Sequence, residues 1–335
     1  MTIREFGALS DGQMVHSVVI GSDELRAEIL SWGACIRDLR YASIDHPLVL
    51  GLNSAAEYEA HSPHFGVIAG RCANRIGNGQ FQLDGHNHQL ATNRDTGQKS
   101  ASPHHLHGGP AGMGKRVWQI ADHDENFVRL ELTEPDGYAG YPGAVQVICT
   151  YRINGATLQC DLKGTTDAPT LMNLAQHSYF NLDGSGTINA HRLFIPAEAV
   201  VRVDSALIPD GALDLVVGSD FDFQTLTEIG PKIIDHNYCL HPARQSEPQL
   251  AATVVTKKLS MDILTTEPGI QFYTGDKIAV PVSGLEGRHY GARAGLCLEP
   301  QIWPDAINHP HFPQAILRPG ETYRQQSCFS FHSTV

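Results

Sequence analysis

The chain has no C-x-x-C pair, no apolar run of membrane-spanning length and almost no clustered positive charge. Its seven cysteines are scattered at long spacings, and an odd number so placed builds neither a disulfide framework nor a zinc ribbon. A reducing, cytoplasmic setting is therefore expected, and residues 1–20, with Arg4, Glu5, Asp11 and Gly12, carry no secretory pattern. The net charge of −12 leaves Lys115-Arg116 and Lys257-Lys258 as the adjacent basic pairs, too little to neutralise phosphates broadly. Neither nucleic acid nor a membrane is an expected partner. H-E-x-x-H, G-x-S-x-G and a G-x-G-x-x-G after a strand are also missing, which removes the usual signals for zinc proteolysis, nucleophilic serine chemistry and dinucleotide binding. The segment from Gly109 to Gly114-Lys115 has the spacing of a phosphate loop. Arg116 stands where that motif needs Ser or Thr, and no apolar strand precedes it, so it reads as a glycine-rich turn.

What the sequence has is glycine, proline and alternation. Its 32 Gly and 19 Pro among 335 residues suit a chain of many turns and few long helices. Apolar residues recur at every second position in Val128–Leu132, Val145–Tyr151, Leu158–Leu162 and Leu259–Ile263, and Tyr323, Gln325, Ser327, Phe329 and Phe331 form another alternating set. Successive strand side chains point to opposite faces, so each run predicts a strand with one face in a core. Asn154-Gly155, Asp183-Gly184, Asp210-Gly211 and Pro319-Gly320 read as turns between strands. Helical signals are short: Ser54–Glu59, capped by Asn53 or Ser54, and one turn over Thr225–Gly230 ended by Gly230-Pro231. The expected fold is all-β, a large antiparallel β-sandwich forming a single domain over residues 1–335.

Several of the 18 histidines cluster, as His86/His88, His104/His105/His107 and His309/His311. No cysteine or acidic residue stands beside them in a ligand pattern, so they read as surface or loop residues, with no metal expected. Three other segments place polar groups among small or apolar ones: Ala69–Gly77, with Arg71, Asn74 and Arg75; Asn173–Leu182, with His177; and Leu296–Asp305, where Glu299 interrupts an apolar run. A carboxylate in such surroundings is costly to ionise unless paired. It is either a structural partner for Arg71 or Arg75 or a functional group.

Six segments in order resemble the aldose 1-epimerase (galactose mutarotase) family: Gly70–Ile76, Leu106–Gly109, Asn173–Leu182, Asp235–Tyr238, Pro268–Gly275 and Leu298–Gln301. The resemblance runs nearly end to end and implies a galactose mutarotase-like supersandwich. It places Glu299 at the general-base position and His177 at the general-acid position. Asn74, Arg75, His107, Asp235 and Gln271 fall at positions that line a sugar pocket. Pro300 departs from the pattern, following the glutamate where many relatives carry Thr. The implied reaction interconverts the α and β anomers of a free sugar without a cofactor. One base and one acid on opposite sides of the C1–O5 unit move the two protons that ring opening requires. Tyr179, Phe180, Phe272, Tyr273 and Trp303 are candidates for stacking on a sugar face or for the core.

Two other functions use the same residues. A carbohydrate-binding protein without catalysis would keep the fold and lose the chemistry. A glycosidase or lyase would pair Glu299 with Asp235 as two carboxylates. Glucose and galactose are the default sugars of the family. Arg71, if it faces the pocket, would extend the substrate class to an anionic sugar, since guanidinium matches oxyanions. Monomer and homodimer are both open.

Overall fold

A computed structural model describes residues 2–62, 64–92 and 102–334. The alternating runs become the strands of a nine-stranded sheet. In spatial order it comprises Gln119–His123, Phe127–Glu134, Val145–Asn154, Thr157–Thr166, Tyr323–Ser333, Leu259–Thr265, Gln249–Val255, Arg192–Phe194 and Thr227–Glu228. Neighbours pair antiparallel throughout this sheet. Asn154-Gly155 makes the predicted tight hairpin, with Asn154 opposite Thr157 and Gly155 at φ +54.

A six-stranded antiparallel sheet lies against the nine-stranded one. Its order is Tyr179–Phe180, Leu296–Gln301, Gly269–Tyr273, Asp235–Cys239, Ala199–Val203 and Pro209–Leu215. Phe180, Leu296, Leu298, Ile270, Phe272 and Tyr238 from this sheet join Val147, Tyr151, Leu162, Met261, Phe329 and Phe331 from the other in one core. Phe180 and Phe329 meet across the interface with ring centroids 5.5 Å apart. A four-stranded sheet, Arg4–Ala8, Met14–Gly21, Leu25–Leu30 and Cys35–Tyr41, adds Val18, Ile20, Ala27 and Ile29 to the same core. The antiparallel sandwich is thus the observed architecture.

The helix Ala55–His61 begins at Ser54, whose Oγ accepts from the Glu57 N–H at 3.3 Å while Glu57 accepts from the Asn53 N–H at 2.8 Å. The two bonds together cap the helix, Glu57 reaching one residue beyond the N-cap. Two sequence readings need correction. Thr225–Gly230 is not a helical turn: Thr227–Glu228 is an edge strand, with Leu193 opposite Thr227. A β-branched residue beside an open sheet edge satisfies its backbone there more readily than in an isolated turn. Asp210-Gly211 is not a turn between strands but lies inside Pro209–Leu215, where the register against Val201 and Val203 shifts. Gly211 absorbs the irregularity at φ +91. No helix among the described residues is long and apolar enough to cross a membrane.

Candidate active site

All six residues of Leu296–Gln301 are buried, although every second one is not a core hydrocarbon. Leu296 and Leu298 point into the sandwich core; Cys297, Glu299 and Gln301 share the opposite face. The register continues that face across the sheet. Glu299 lies opposite Gln271, Gln271 opposite Asn237, and Cys297 opposite both Tyr179 and Tyr273. One side of the six-stranded sheet is hydrocarbon and the other is a buried polar floor.

Short strands from the first third of the chain bring the remaining groups over this floor. Ile68–Ala69 pairs with Ala175–Gln176, and just beyond it the His177 N–H donates to the Val67 carbonyl at 2.9 Å while its carbonyl accepts from Gly66 N–H at 3.0 Å. Asn173 fixes the other end: its carboxamide exchanges hydrogen bonds with the backbone of Ile302 at 2.9 and 3.2 Å. Arg75–Ile76 pairs with His105–Leu106, so that Asn74 and His107 meet. Both residues are left-handed, at φ +59 and +52. Gly108 follows at φ +84, and a Cβ there would sit 1.8 Å from the Gly70 carbonyl oxygen, so only glycine lets the two loops close.

All seven site residues anticipated from sequence fall into one constellation. His177 Nε2 is 3.5 Å from Glu299 Oε1. His107 sets its ring edge-on to His177 at 5.0 Å and accepts the Asn74 backbone N–H on Nδ1 at 3.1 Å. Asn74 Oδ1 accepts from the Arg75 backbone N–H at 2.9 Å, and Arg75 Nη2 lies 3.6 Å from Asp235. Asp235 accepts from Gln271 Nε2 at 2.6 Å, and Gln271 returns the chain to Glu299 across the sheet. Glu299 Oε2 and Gln271 Oε1 are buried without a hydrogen-bond partner among the described residues. His177 and Glu299 thus stand side by side on the floor.

Electrostatics refine this picture. Sequence left open whether a neighbouring carboxylate or desolvation governs His177. Burial dominates and pushes the imidazole down to about 4. Burial, reinforced by the Asp235 charge and partly offset by Arg75, pushes the Glu299 carboxyl well above its ordinary range. The separation alone would suggest an ion pair, but both groups lose more by desolvation than they gain by charging. Burial thus acts against the charged form of each group. His107 is also held well below its ordinary value, by burial and then by His64, His177, Arg75 and Lys115.

Ligand atoms of His107, His177 and Glu299 all lie within 4.8 Å of one another, close enough to suggest a metal. The outer hydrogen bond opposes it. His107 Nδ1 accepts from Asn74, which leaves the ring proton on Nε2 and no lone pair to donate.

Other expectations resolve differently. Arg71 does not face the pocket. It is 1% exposed, with Nε 3.1 Å from Glu134, Nη1 bonded to the carbonyls of Pro142 and Gly143 and to Thr170 Oγ1, and its guanidinium over the Tyr141 ring. The anionic-sugar reading loses its cation. His105 is not a surface histidine but a core one, bonded to the Ala91 carbonyl and the Tyr141 hydroxyl, each at 2.6 Å, and pushed down to about 4 by burial. Phe180 and Phe272 belong to the core. Trp303 packs edge-on to Phe312 and donates to the Pro268 carbonyl. Tyr179 is on the polar floor, stacked on His177 at 5.2 Å, and Tyr273 is half-buried beside it. The glycine-rich segment forms two single 3₁₀ turns, Gly109–Ala111 and Met113–Lys115, with no long helix to receive a phosphate.

Two site residues escaped the sequence reading. Cys297 Sγ lies 3.5 Å from His177 Nδ1. The period of two, counted back from Glu299, would have placed it there. His64 stacks on His177 at 5.5 Å from a loop position that carries no sequence signal.

The sequence model of the aldose 1-epimerase family matches residues 16–330. The galactose mutarotase of Sus scrofa is 38% identical over 343 aligned residues, covering 97% of each chain. The aldose 1-epimerase of Escherichia coli is 32% identical and covers 96% of each. Among solved structures, an aldose epimerase homologue from C. elegans superposes with a TM-score of 0.86 at 29% identity, over 95% of this chain and 100% of its own.

Proposed function

The chain belongs to the aldose 1-epimerase family of carbohydrate isomerases, and from that premise we propose that it opens and recloses the hemiacetal ring of a free, neutral aldose with His177 and Glu299 as its proton-transfer pair. The supporting observation is the 3.5 Å approach of His177 Nε2 to Glu299 Oε1 on a buried polar floor. The hydroxyl oxygen and the ring oxygen of a hemiacetal are bonded to the same carbon, so two groups that serve them must be neighbours.

In ring opening, Glu299 as carboxylate takes the proton of the C1 hydroxyl. The C1–O5 bond breaks, its electron pair goes to O5, and O5 takes the proton of His177 Nε2 as the C1 carbonyl forms. Rotation about C1–C2 presents the other carbonyl face, and the reverse transfers close the ring. The pair carries one proton throughout, on His177 before opening and on Glu299 after it. Burial of both groups opposes the charged form. Arg75, beside Glu299, and the hydroxyls of a bound sugar favour it by solvating its charges. Asn74, Arg75, His107, Asp235 and Gln271 hold hydroxyls and fix the ring's orientation. Because Asp235 is committed to Arg75 and Gln271, it serves poorly as the second carboxylate of a glycosidase.

Polarimetry on freshly dissolved α-D-glucose and α-D-galactose tests this. The wild type is expected to speed the approach to the same final rotation, and His177→Ala and Glu299→Gln each to lose about 10²- to 10⁴-fold. No acceleration of these two sugars or of a wider panel of free aldoses by the wild type would refute the reading.

A further inference from the structure

The pocket contains a third imidazole. His64 lies with its ring centroid 4.8 Å from His107 and 5.5 Å from His177, the latter stacked at an interplanar angle of 28°. Its placement is over-determined. The backbone is left-handed at φ +71, an unusual conformation for a residue with a side chain. The turn holding it is tied to the acid residue itself: Val67 N–H donates to the His64 carbonyl at 3.4 Å, while Val67 carbonyl and Gly66 N–H bond the backbone of His177. Phe65 N–H donates to Ser62 Oγ at 2.9 Å on the opposite side.

The three rings differ in one respect. His107 has Nδ1 occupied by Asn74, and His177 has Cys297 on Nδ1 and Glu299 on Nε2. Among the described residues neither nitrogen of His64 has a hydrogen-bond partner, although the ring is only half-exposed. Neither nitrogen is buried among its neighbours, so both open on the pocket, where a hydroxyl group can take the place of water. Burial, then the proximity of His177 and Lys115, holds His64 well below its ordinary value. It is therefore neutral near pH 7, with one nitrogen to donate and one to accept, the pairing that a hydroxyl group satisfies.

We propose that His64 is a substrate-contacting residue of this site, hydrogen-bonded to one hydroxyl of the sugar and thereby setting which hydroxyl pattern is preferred. The inference rests on the sugar-binding reading of the pocket. The test is a set of sugars crossed with His64→Phe, which keeps a ring to stack on His177 and removes both nitrogens. For glucose the variant is expected to raise KM by about 3- to 10-fold, with kcat changed much less. Against the 2-, 3-, 4- and 6-deoxy sugars, the wild type pays a KM penalty for each hydroxyl it binds. In His64→Phe one of those penalties should vanish and the others persist, and His64→Gln should restore part of it. A glucose KM unchanged in His64→Phe, or one raised with all four deoxy ratios as in wild type, would overturn the contact and leave a ring that only packs. If His64→Phe fails to fold, as read by its melting temperature, the same ratios in His64→Gln decide. Titration calorimetry on the same panel separates this inference from the reaction. A wild type that binds glucose without epimerising it, and shows the His64 effect in Kd, keeps the contact and sinks the catalysis. One that binds no sugar sinks both.

Discussion

In the strand Val145–Asn154, the residues Val145, Val147, Cys149 and Tyr151 are buried while Gln146 and Arg152 stand in solvent. In Leu296–Gln301 the alternation is the same, but Cys297, Glu299 and Gln301 are as deeply buried as the leucines between them. The nine-stranded sheet separates core from water; the six-stranded sheet separates core from pocket. A polar residue at an alternate strand position costs nothing in the first setting. In the second it loses its solvent and must find a partner, shift its protonation or wait for a ligand. Glu299 does the second.

The comparison breaks most sharply on two adjacent residues. Glu299→Gln should cost about 10²- to 10⁴-fold in rate. It should also raise the melting temperature at pH 7. The carboxyl is raised in the fold, so its stability contribution is fully present below the unfolded value of 4.5 and is lost as pH rises towards the folded one. An amide removes that loss. Leu298→Ala should do the reverse, destabilising by about 2–5 kcal/mol in urea titration while the folded fraction keeps its activity. Equal destabilisation by the two substitutions would show that the faces are not functionally distinct.

A second pair sharpens the contrast with one residue type. Gln271 donates to the Asp235 carboxylate on the buried floor, whereas Gln146 projects from the outer face of the nine-stranded sheet. Removing a bond to a charged group should raise KM by about 10- to 100-fold in Gln271→Ala. Gln146→Ala should leave kinetics untouched and stability within about 0.5 kcal/mol.

The last expected effect is in pH. His105 in the core and His177 in the pocket are both depressed to about 4 from 6.5. Between those values the unfolded chain takes protons that the folded chain refuses, so stability is present above pH 6.5 and falls as pH drops towards 4. Each group contributes at most about 1.4 kcal/mol per pH unit. The urea midpoint of His177→Asn should therefore fall less steeply from pH 6.5 to 4.5 than that of the wild type. An identical slope would mean that sugar-pocket burial does not govern His177.

Much of this was legible in the residues. Period-two alternation is a property of the chain, so Val145–Tyr151 and Tyr323–Phe331 showed their core faces without a fold. Segment order carried the resemblance that placed His177, Glu299 and the five residues around them. Partners were not legible. Arg71 was an equally reasonable neighbour for the pocket until Glu134, 63 positions away, took it into the core. Thr227–Glu228 depended on an open sheet edge, and His64 on a left-handed turn tied to a strand more than a hundred residues later. The sequence by itself determined the strands, their apolar faces and the kinds of group available for proton transfer, because these follow from local periodicity and residue chemistry. Only the tertiary structure decided which polar face would be dry, which cation would be spent on a structural pair and in which direction burial shifts His177 and Glu299. Those outcomes depend on desolvation, and desolvation is set by neighbours that the chain brings together from a distance.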